Sequence, residues 1–184
     1  MLEIKETEVS IIIVTWNSED EILECVNSII ENTKDLNYET IIIDNKSSDK
    51  TAEILKSNYS EKPDFIKLIF NEENSGYTKA NNQGIEKASG KNIFLLNPDT
   101  KITDNSIRKL NQNLNKIERY GGIAPQLLNE DLSIQKSCRT FPRYFDMFCE
   151  MSLLSKIFPD SELLSNWKMN YFSHNEERAV EQPM

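Results

Sequence analysis

From Val9 to Val14 every position but Ser10 is aliphatic and most are β-branched, the pattern of a strand buried on both faces. It is expected to lie at the centre of a parallel sheet. Ser18 followed by Glu21 reads as a capping box, and Ile22, Val26 and Ile29, with Leu23 and Ile30 beside them, recur at helical spacing, so a helix should follow that strand directly. The alternation then repeats. Thr40–Ile43 reads as a second buried strand, and Asp49 as the cap of a helix carrying Ala52, Leu55 and Tyr59. Phe65–Phe70 reads as a third strand, and a helix from about Thr78 to Ser89 should stop at Gly90. Ile93–Leu96 is an apolar strand, and Asp104 can cap a helix with Ile107, Leu110, Leu114 and Ile117 along one face. Gly84 inside the third helix costs about 1 kcal/mol relative to alanine, which predicts close packing on the sheet. Strands alternating with helices in this way imply an α/β, Rossmann-like fold: a mostly parallel central sheet, right-handed crossovers and helices on both faces.

Beyond Gly121-Gly122 the pattern weakens. Ile123–Leu128 and Ser133–Arg139 read as short strands, and Tyr144–Phe158 as a helix or two. Asp160–Met184 is polar and closes on Val180-Glu181-Gln182-Pro183-Met184, which reads as a chain cut short.

Composition narrows the class. At 184 residues, 38% hydrophobic and 28% charged, one soluble domain is expected. The longest aliphatic run, Ile11–Val14, is far too short to span a membrane, and Met1–Glu8 is acidic, so neither a transmembrane segment nor a secretory signal is expected. A net charge of −9 argues against a nucleic-acid partner, because that binding depends on displacing counterions with lysine and arginine. A small anionic ligand would need local cations or a divalent metal to offset the repulsion. Cys25, Cys138 and Cys149 form an odd set without CxxC spacing. Free thiols in a reducing cytosol follow, with Cys25 a small core residue.

Candidate chemistry collects where the strands end. Pro98 cannot continue a strand ladder, so Asp99 is lifted onto a turn just past the Ile93 strand. A carboxylate there suits a metal ion, although an Asx cap or β-turn explains it as simply. Thr15-Trp16-Asn17 and Asp44-Asn45 close the other strands, and the carboxyl ends of a parallel sheet open onto one crevice. Asp44 could accept from a ribose or a base N–H, or serve as a helix-entry turn; Trp16 could stack on a base or merely pack. Asn74-Ser75-Gly76-Tyr77 forms a loop in which Gly76 admits close backbone approach, and Asn81-Asn82 open the third helix, features that a turn and cap explain equally well. Lys79 and Arg139 are candidate phosphate contacts or solvated cations, and His174, alone of its kind in a polar tail, suggests no catalytic role. No G-x-G-x-x-G follows the first strand, and neither a P-loop nor a G-x-S-x-G elbow is present.

Taken in order, Val9–Asn17, Ile43-Asp44-Asn45-Lys46-Ser47-Ser48-Asp49, Asn71–Asn82 and Leu95-Leu96-Asn97-Pro98-Asp99-Thr100 resemble family 2 glycosyltransferases of the GT-A fold, most closely the rhamnosyltransferase-like branch. The similarity continues through Gly122-Ile123-Ala124-Pro125 and Ser137-Cys138-Arg139-Thr140-Phe141-Pro142. What the resemblance implies is inverting transfer of a sugar from a nucleotide-diphosphate donor to a glycan or lipid-linked acceptor, assisted by Mg²⁺ or Mn²⁺. Thr15, Trp16, Asn17 and Asp44 would line the nucleoside pocket, with Asn45, Gly76, Asn81 and Asn97 as further donor-binding positions and Asp99 as the metal ligand. Asn97-Pro98-Asp99 stands where the family carries its D-x-D motif, so Asn97 replaces the first carboxylate. Trp16 stands where the family usually has tyrosine, and Thr78-Lys79-Ala80 replaces smaller residues, departures that bear on donor choice. The family's general base lies in a later segment that no stretch here matches, so it is expected to be absent from this chain, and with it the acceptor-binding part.

The organisation that follows is a single domain over 1–184, with a nucleotide-binding core over 1–128 and the start of an acceptor-side region over 129–184. The expected location is cytoplasmic, with attachment to the cytoplasmic face of a membrane left open. The competing class is a non-catalytic nucleotide-sugar-binding module, or a donor-binding half that needs another segment for activity. A nucleotidyltransferase would need an amino-terminal glycine-rich loop and a receiver-like domain an acidic pair after the first strand; neither is present.

Overall fold

The computed structural model describes residues 6–60, 64–117 and 121–180. The terminal Glu181–Met184, on which the reading of a cut chain rests, and most of the acidic Met1–Glu8 lie outside them. The chain forms two compact units, Met1–Ile123 and Ala124–Met184.

The first unit contains β1 (Val9–Thr15), α1 (Ile22–Asn32), β2 (Tyr38–Asp44), α2 (Thr51–Tyr59), β3 (Ile66–Phe70), α3 (Tyr77–Lys87), β4 (Asn92–Leu96) and α4 (Ser106–Leu114). The four strands form one parallel sheet in the order β3-β2-β1-β4. β1 is central, and all seven of its residues are buried. Successive side chains of a strand face opposite ways, which divides the core into two layers. Val9, Ile11 and Ile13 pack with Ile22, Cys25, Val26 and Ile29 of α1, Leu55 and Tyr59 of α2 and Ile107 of α4. Ile12 and Val14 pack on the other side with Ile41, Ile43 and Ala80 of α3. Gly84 is where α3 meets the sheet: a Cβ there would lie 2.6 Å from Ile12 Cγ2, so the close packing predicted from sequence is present.

Several local expectations are corrected. Ser18 forms no capping box; its carbonyl accepts from the Ile22 N–H (3.0 Å) and α1 starts without a side-chain cap. Leu23 and Ile30 are exposed, because the stripe at Ile22, Cys25, Val26 and Ile29 already fills the sheet-facing side. Gly90 does not stop α3, which ends at Lys87; it admits close backbone contact with β1 instead. Asp104 does not cap α4, since its carboxylate pairs with Lys109. That helix ends at Leu114, short of Ile117. β4 differs from β1 in exposing Ile93 and Leu95, because it is an edge strand and α3 lies over β1 and β2.

At the amino-terminal edge of the sheet, Glu39 is 5% exposed and ties three segments together. Its carboxylate accepts from Ser10 Oγ (2.6 Å) and from the N–H (2.6 Å) and Oγ (2.8 Å) of Ser89, and pairs with Lys67 (2.6 Å). Burial pushes its carboxyl up, but the Lys67, Ser10 and Ser89 donors outweigh burial and bring the pKa down to about 2. A carboxyl whose pKa is lower when folded than when unfolded stabilises the fold above its unfolded pKa. That contribution is lost as pH falls through the folded value. Stability should therefore drop between pH 4.5 and about 2, by an amount on the order of 2 kcal/mol once screening of the half-exposed Lys67 is allowed for. Urea melts of the parent and Glu39→Gln across that range test this; equal slopes against pH would refute it.

The second unit contains a two-stranded antiparallel pair, β5 (Leu127–Leu128) and β6 (Ile134–Gln135), followed by α5 (Tyr144–Met151) and α6 (Leu154–Ile157). Both strands are shorter than expected, and the helical stretch is indeed two helices. Arg143 opens α5, with its backbone N–H and guanidinium both bonded to the buried Asp146 carboxylate. Arg139, a candidate phosphate contact by sequence, directs its guanidinium at the backbone carbonyls of Lys136, Cys138 and Lys168. His174 is buried, Nε2 accepting from the Cys138 N–H (3.3 Å) and Nδ1 lying 2.8 Å from the Phe172 carbonyl, a structural placement for a histidine in a turn.

Candidate functional site

Strand order places the switch of chain direction between β1 and β4, with β2 and β3 on the other side of β1. Ligands of open α/β sheets occupy the crevice outside the carboxyl ends at such a point. Thr15 is paired in register with Asp44, and Asp44 with Phe70, while Leu96 lies opposite Ile13. The three strand-end motifs therefore come out at one edge of the sheet.

A cavity of about 430 Å³ lies there, lined by Trp16, Asn17, Asn45, Asn97 and Asp99 among the positions singled out by sequence. Ser18, Glu21, Asn74 and Tyr77 line it too. Glu21 was legible only as half of a capping box, and its position in the cavity depends on the turn that carries the chain from β1 into α1. Trp16 is 56% exposed and lines the cavity instead of packing in the core.

Thr15 and Asp44 are buried at the strand ends and do not line the cavity. Asp44 Oδ2 accepts from the Ser47 N–H (3.2 Å), whereas Asp44 Oδ1 and Thr15 Oγ1 are buried with no hydrogen-bond partner. A buried polar atom left unpaired costs about 1–3 kcal/mol and calls for an explanation. Asn81 is also buried, and its amide donates to the Tyr77 carbonyl in its own helix (3.0 Å). Gly76, at φ +82°, begins α3 in a conformation that disfavours other residues. Lys79 is exposed and only 4.0 Å from the equally exposed Glu73.

The turn bearing Asp99 is held from below by α1. Cys25 Sγ lies 3.7 Å from the Asn97 carbonyl, and Ser28 Oγ accepts from the Ile102 N–H (2.9 Å) while donating to the Cys25 carbonyl (2.7 Å). Burial pushes the Cys25 thiol up to about 12, which keeps it a protonated donor to that turn. Asp99 and Asn97 are themselves exposed, and Asn97 Oδ1 accepts from the Tyr77 hydroxyl (3.3 Å). Asp99, Asn97 and Glu21 give the cavity oxygen donors only, the set preferred by Mg²⁺ and Mn²⁺. Among the described residues no group of three or more His, Cys, Asp or Glu could hold an ion. A cation held here by Asp99 would therefore have to take most of its ligands from a bound phosphate group.

No helix among the described residues is long and apolar enough to cross a membrane. TuaG, a glycosyltransferase of Bacillus subtilis (strain 168), is 33% identical over 101 residues, which is 55% of this chain and 39% of that protein. The poly(ribitol-phosphate) beta-glucosyltransferase of Bacillus spizizenii is 36% identical over 97 residues, 52% of this chain and 15% of that one. The chain thus spans well under half the length of these relatives. Among solved structures, S. aureus TarS 1-349 in complex with UDP-GlcNAc superposes with a TM-score of 0.53 at 21% identity, over 67% of this chain and 38% of that one. That likeness is one of fold. Glycosyl transferase family 2 matches residues 10–150, which takes in all of the parallel sheet but Val9 and every residue of the cavity, and the chain belongs to that family.

Proposed function

We propose that the first unit is the donor-binding part of a glycosyltransferase and binds a nucleotide-diphosphate sugar in the cavity at the carboxyl ends of β1, β2 and β4. The observation that carries this reading is the cavity itself, where Trp16, Asn17, Asn97 and Asp99 meet at the strand ends; Asp44 Oδ1, a buried acceptor without a partner at the end of β2, lies off its wall and would be met by a donor group that reaches past it. A base or ribose N–H or O–H would satisfy it, and the exposed Trp16 offers a stacking face nearby. Thr15, Asn17, Asn45, Gly76, Asn81 and Asn97 complete the donor side, some by contact and some by support. Asp99 is the proposed ligand of Mg²⁺ or Mn²⁺. When bound, that ion would offset charge developing on the leaving diphosphate. The chain's own part is to hold Asp99 on a turn braced by Cys25 and Ser28, and to orient the nucleotide so that its sugar faces the acceptor side.

The reaction proposed for the whole protein is inverting transfer to a glycan or lipid-linked acceptor, in the rhamnosyltransferase-like branch that the ordered strand-end motifs, taken together, resemble. The general base and the acceptor site are assigned to a segment that 1–184 does not contain, and 129–184 to the start of the acceptor side. A cytoplasmic location follows from a cytosolic supply of activated sugars.

TarS is solved with UDP and with UDP-GlcNAc, which makes UDP the first probe. Calorimetric titration of UDP, dTDP and GDP with and without Mn²⁺ should show metal-dependent binding of one of them, weakened about tenfold or more in Asp99→Ala. Equal affinity in the variant would remove Asp99 from the metal site, and no heat with any nucleotide would remove the donor reading.

A further inference from the structure

We infer that Asn45 is a positioning residue, which sets the loop between β3 and α3 in the shape the donor site needs. This rests on the donor-site reading above. Asn45 is 2% exposed, and its amide is the hub of a polar network. Its Oδ1 accepts from Asn71 Nδ2 (3.1 Å), from the Ser75 N–H (3.2 Å) and from Ser75 Oγ (3.3 Å). Its Nδ2 donates to Asn74 Oδ1 (2.8 Å), which also accepts from the Gly76 N–H (3.0 Å). Gln83 Nε2 of α3 donates to Asn71 Oδ1 (3.0 Å) and closes the chain back onto the helix.

Two backbone donors give this network a single sense. The Ser75 N–H can meet only an oxygen, which orients the Asn45 amide, and the Gly76 N–H does the same for Asn74. The backbone is pinned as well, with the Asn45 N–H on the Thr15 carbonyl (2.8 Å) and the Asn71 N–H on the Asp44 carbonyl (2.9 Å). Asn45 thereby joins the ends of β1, β2 and β3 to a loop that has no other regular structure. α3 begins directly after it, without a side-chain cap and at a positive φ. Tyr77, the first residue of α3, is thus delivered to Asn97 at the end of β4. Asn45 Oδ1 already accepts from three protein donors, and one Nδ2 hydrogen is given to Asn74, so a ligand could meet this amide only at its second Nδ2 hydrogen.

The test pairs backbone amide exchange with nucleotide titration, in Asn45→Ala, Asn74→Ala and the double variant. Asn45→Ala should speed exchange at Ser75 and Gly76 by about tenfold or more and weaken the UDP–Mn²⁺ interaction about tenfold. The double variant should be hardly worse than Asn45→Ala, as members of one network are non-additive. Exchange in β1, which lies in the core, serves as the control for general destabilisation. Weakened UDP binding with unchanged exchange at Ser75 and Gly76 would overturn the inference, because Asn45 would then act by contact. Faster loop exchange with UDP affinity unchanged would overturn it from the other side. Should the parent protein bind no nucleotide diphosphate, the donor reading itself falls and takes the donor-positioning role with it, while exchange still reports whether Asn45 holds the loop.

Discussion

Asp44→Asn is expected to lose roughly 10- to 100-fold in nucleotide-diphosphate affinity while the unliganded protein stays as stable as its parent. The two halves have one cause. Asp44 Oδ2 is held by the Ser47 N–H and Oδ1 has no partner. Asparagine keeps the first contact and replaces the second acceptor with an NH₂ group. A ligand N–H or O–H that met a carboxylate would then meet another donor. A hydrogen bond to a charged group is worth about 1.5–3 kcal/mol, and each 1.4 kcal/mol is a factor of ten. Stability has little to lose, because the unpartnered oxygen contributes nothing favourable to the empty fold. Calorimetry beside thermal melts separates the two quantities; parallel loss of affinity and stability would make Asp44 a structural residue.

Gly90→Ala should be the most damaging alanine substitution at any glycine of the chain, on the order of 3 kcal/mol. A Cβ at Gly90 would stand 2.4 Å from the Ser10 backbone nitrogen and 2.6 Å from the Val9 carbonyl carbon. Those atoms belong to the central strand and cannot yield without disturbing its ladders to β2 and β4. The Gly90 N–H also donates to Ser10 Oγ (2.8 Å), which in turn bonds Glu39, so the shift would reach the buried carboxylate. Gly84→Ala meets only the side chains of Ile12 and Ile43, which can rotate, and alanine recovers about 1 kcal/mol of helix propensity. Gly121→Ala has nothing within 4 Å and should fall within about 0.5 kcal/mol of the parent. A chain of this size loses about 2–4 °C per kcal/mol, so melting temperature should fall by roughly 10 °C for Gly90, less for Gly84 and hardly at all for Gly121. Any other order would mean that the close approach at Ser10 is relieved by movement of the Gly90 loop.

The elements of the parallel sheet were legible because burial dictates composition directly. A strand covered on both faces must be apolar at nearly every position, as Val9–Val14 is, and helices packed on it must carry a stripe, as Ile22, Val26 and Ile29 do. The order of strand-end motifs was legible too, since Thr15, Asp44 and Asn97 each follow such a run. Helix ends were less so. Ser18, Asp49 and Asp104 all have capping chemistry, yet Ser18 uses its carbonyl, Asp49 accepts from both Glu19 and Thr51 N–H groups, and Asp104 pairs with Lys109. Local propensity offers each of them several partners, and tertiary neighbours choose among them.

The sequence by itself determined a parallel α/β sheet and the family to which its motifs belong, because period-2 and period-3.6 burial and an ordered set of strand-end residues leave few other solutions. Only the tertiary structure decided the division of labour at the site. It buried Asp44 with one oxygen unpaired and gave Asn45 to the loop at Asn71–Gly76. It set Cys25 and Ser28 beneath the Asp99 turn, and it brought Glu21 and Tyr77 into the cavity. The contacts of Asn45, Cys25, Ser28 and Tyr77 depend on which neighbour, 20 or more residues away in the chain, occupies the next few ångströms, a distance that no local pattern encodes.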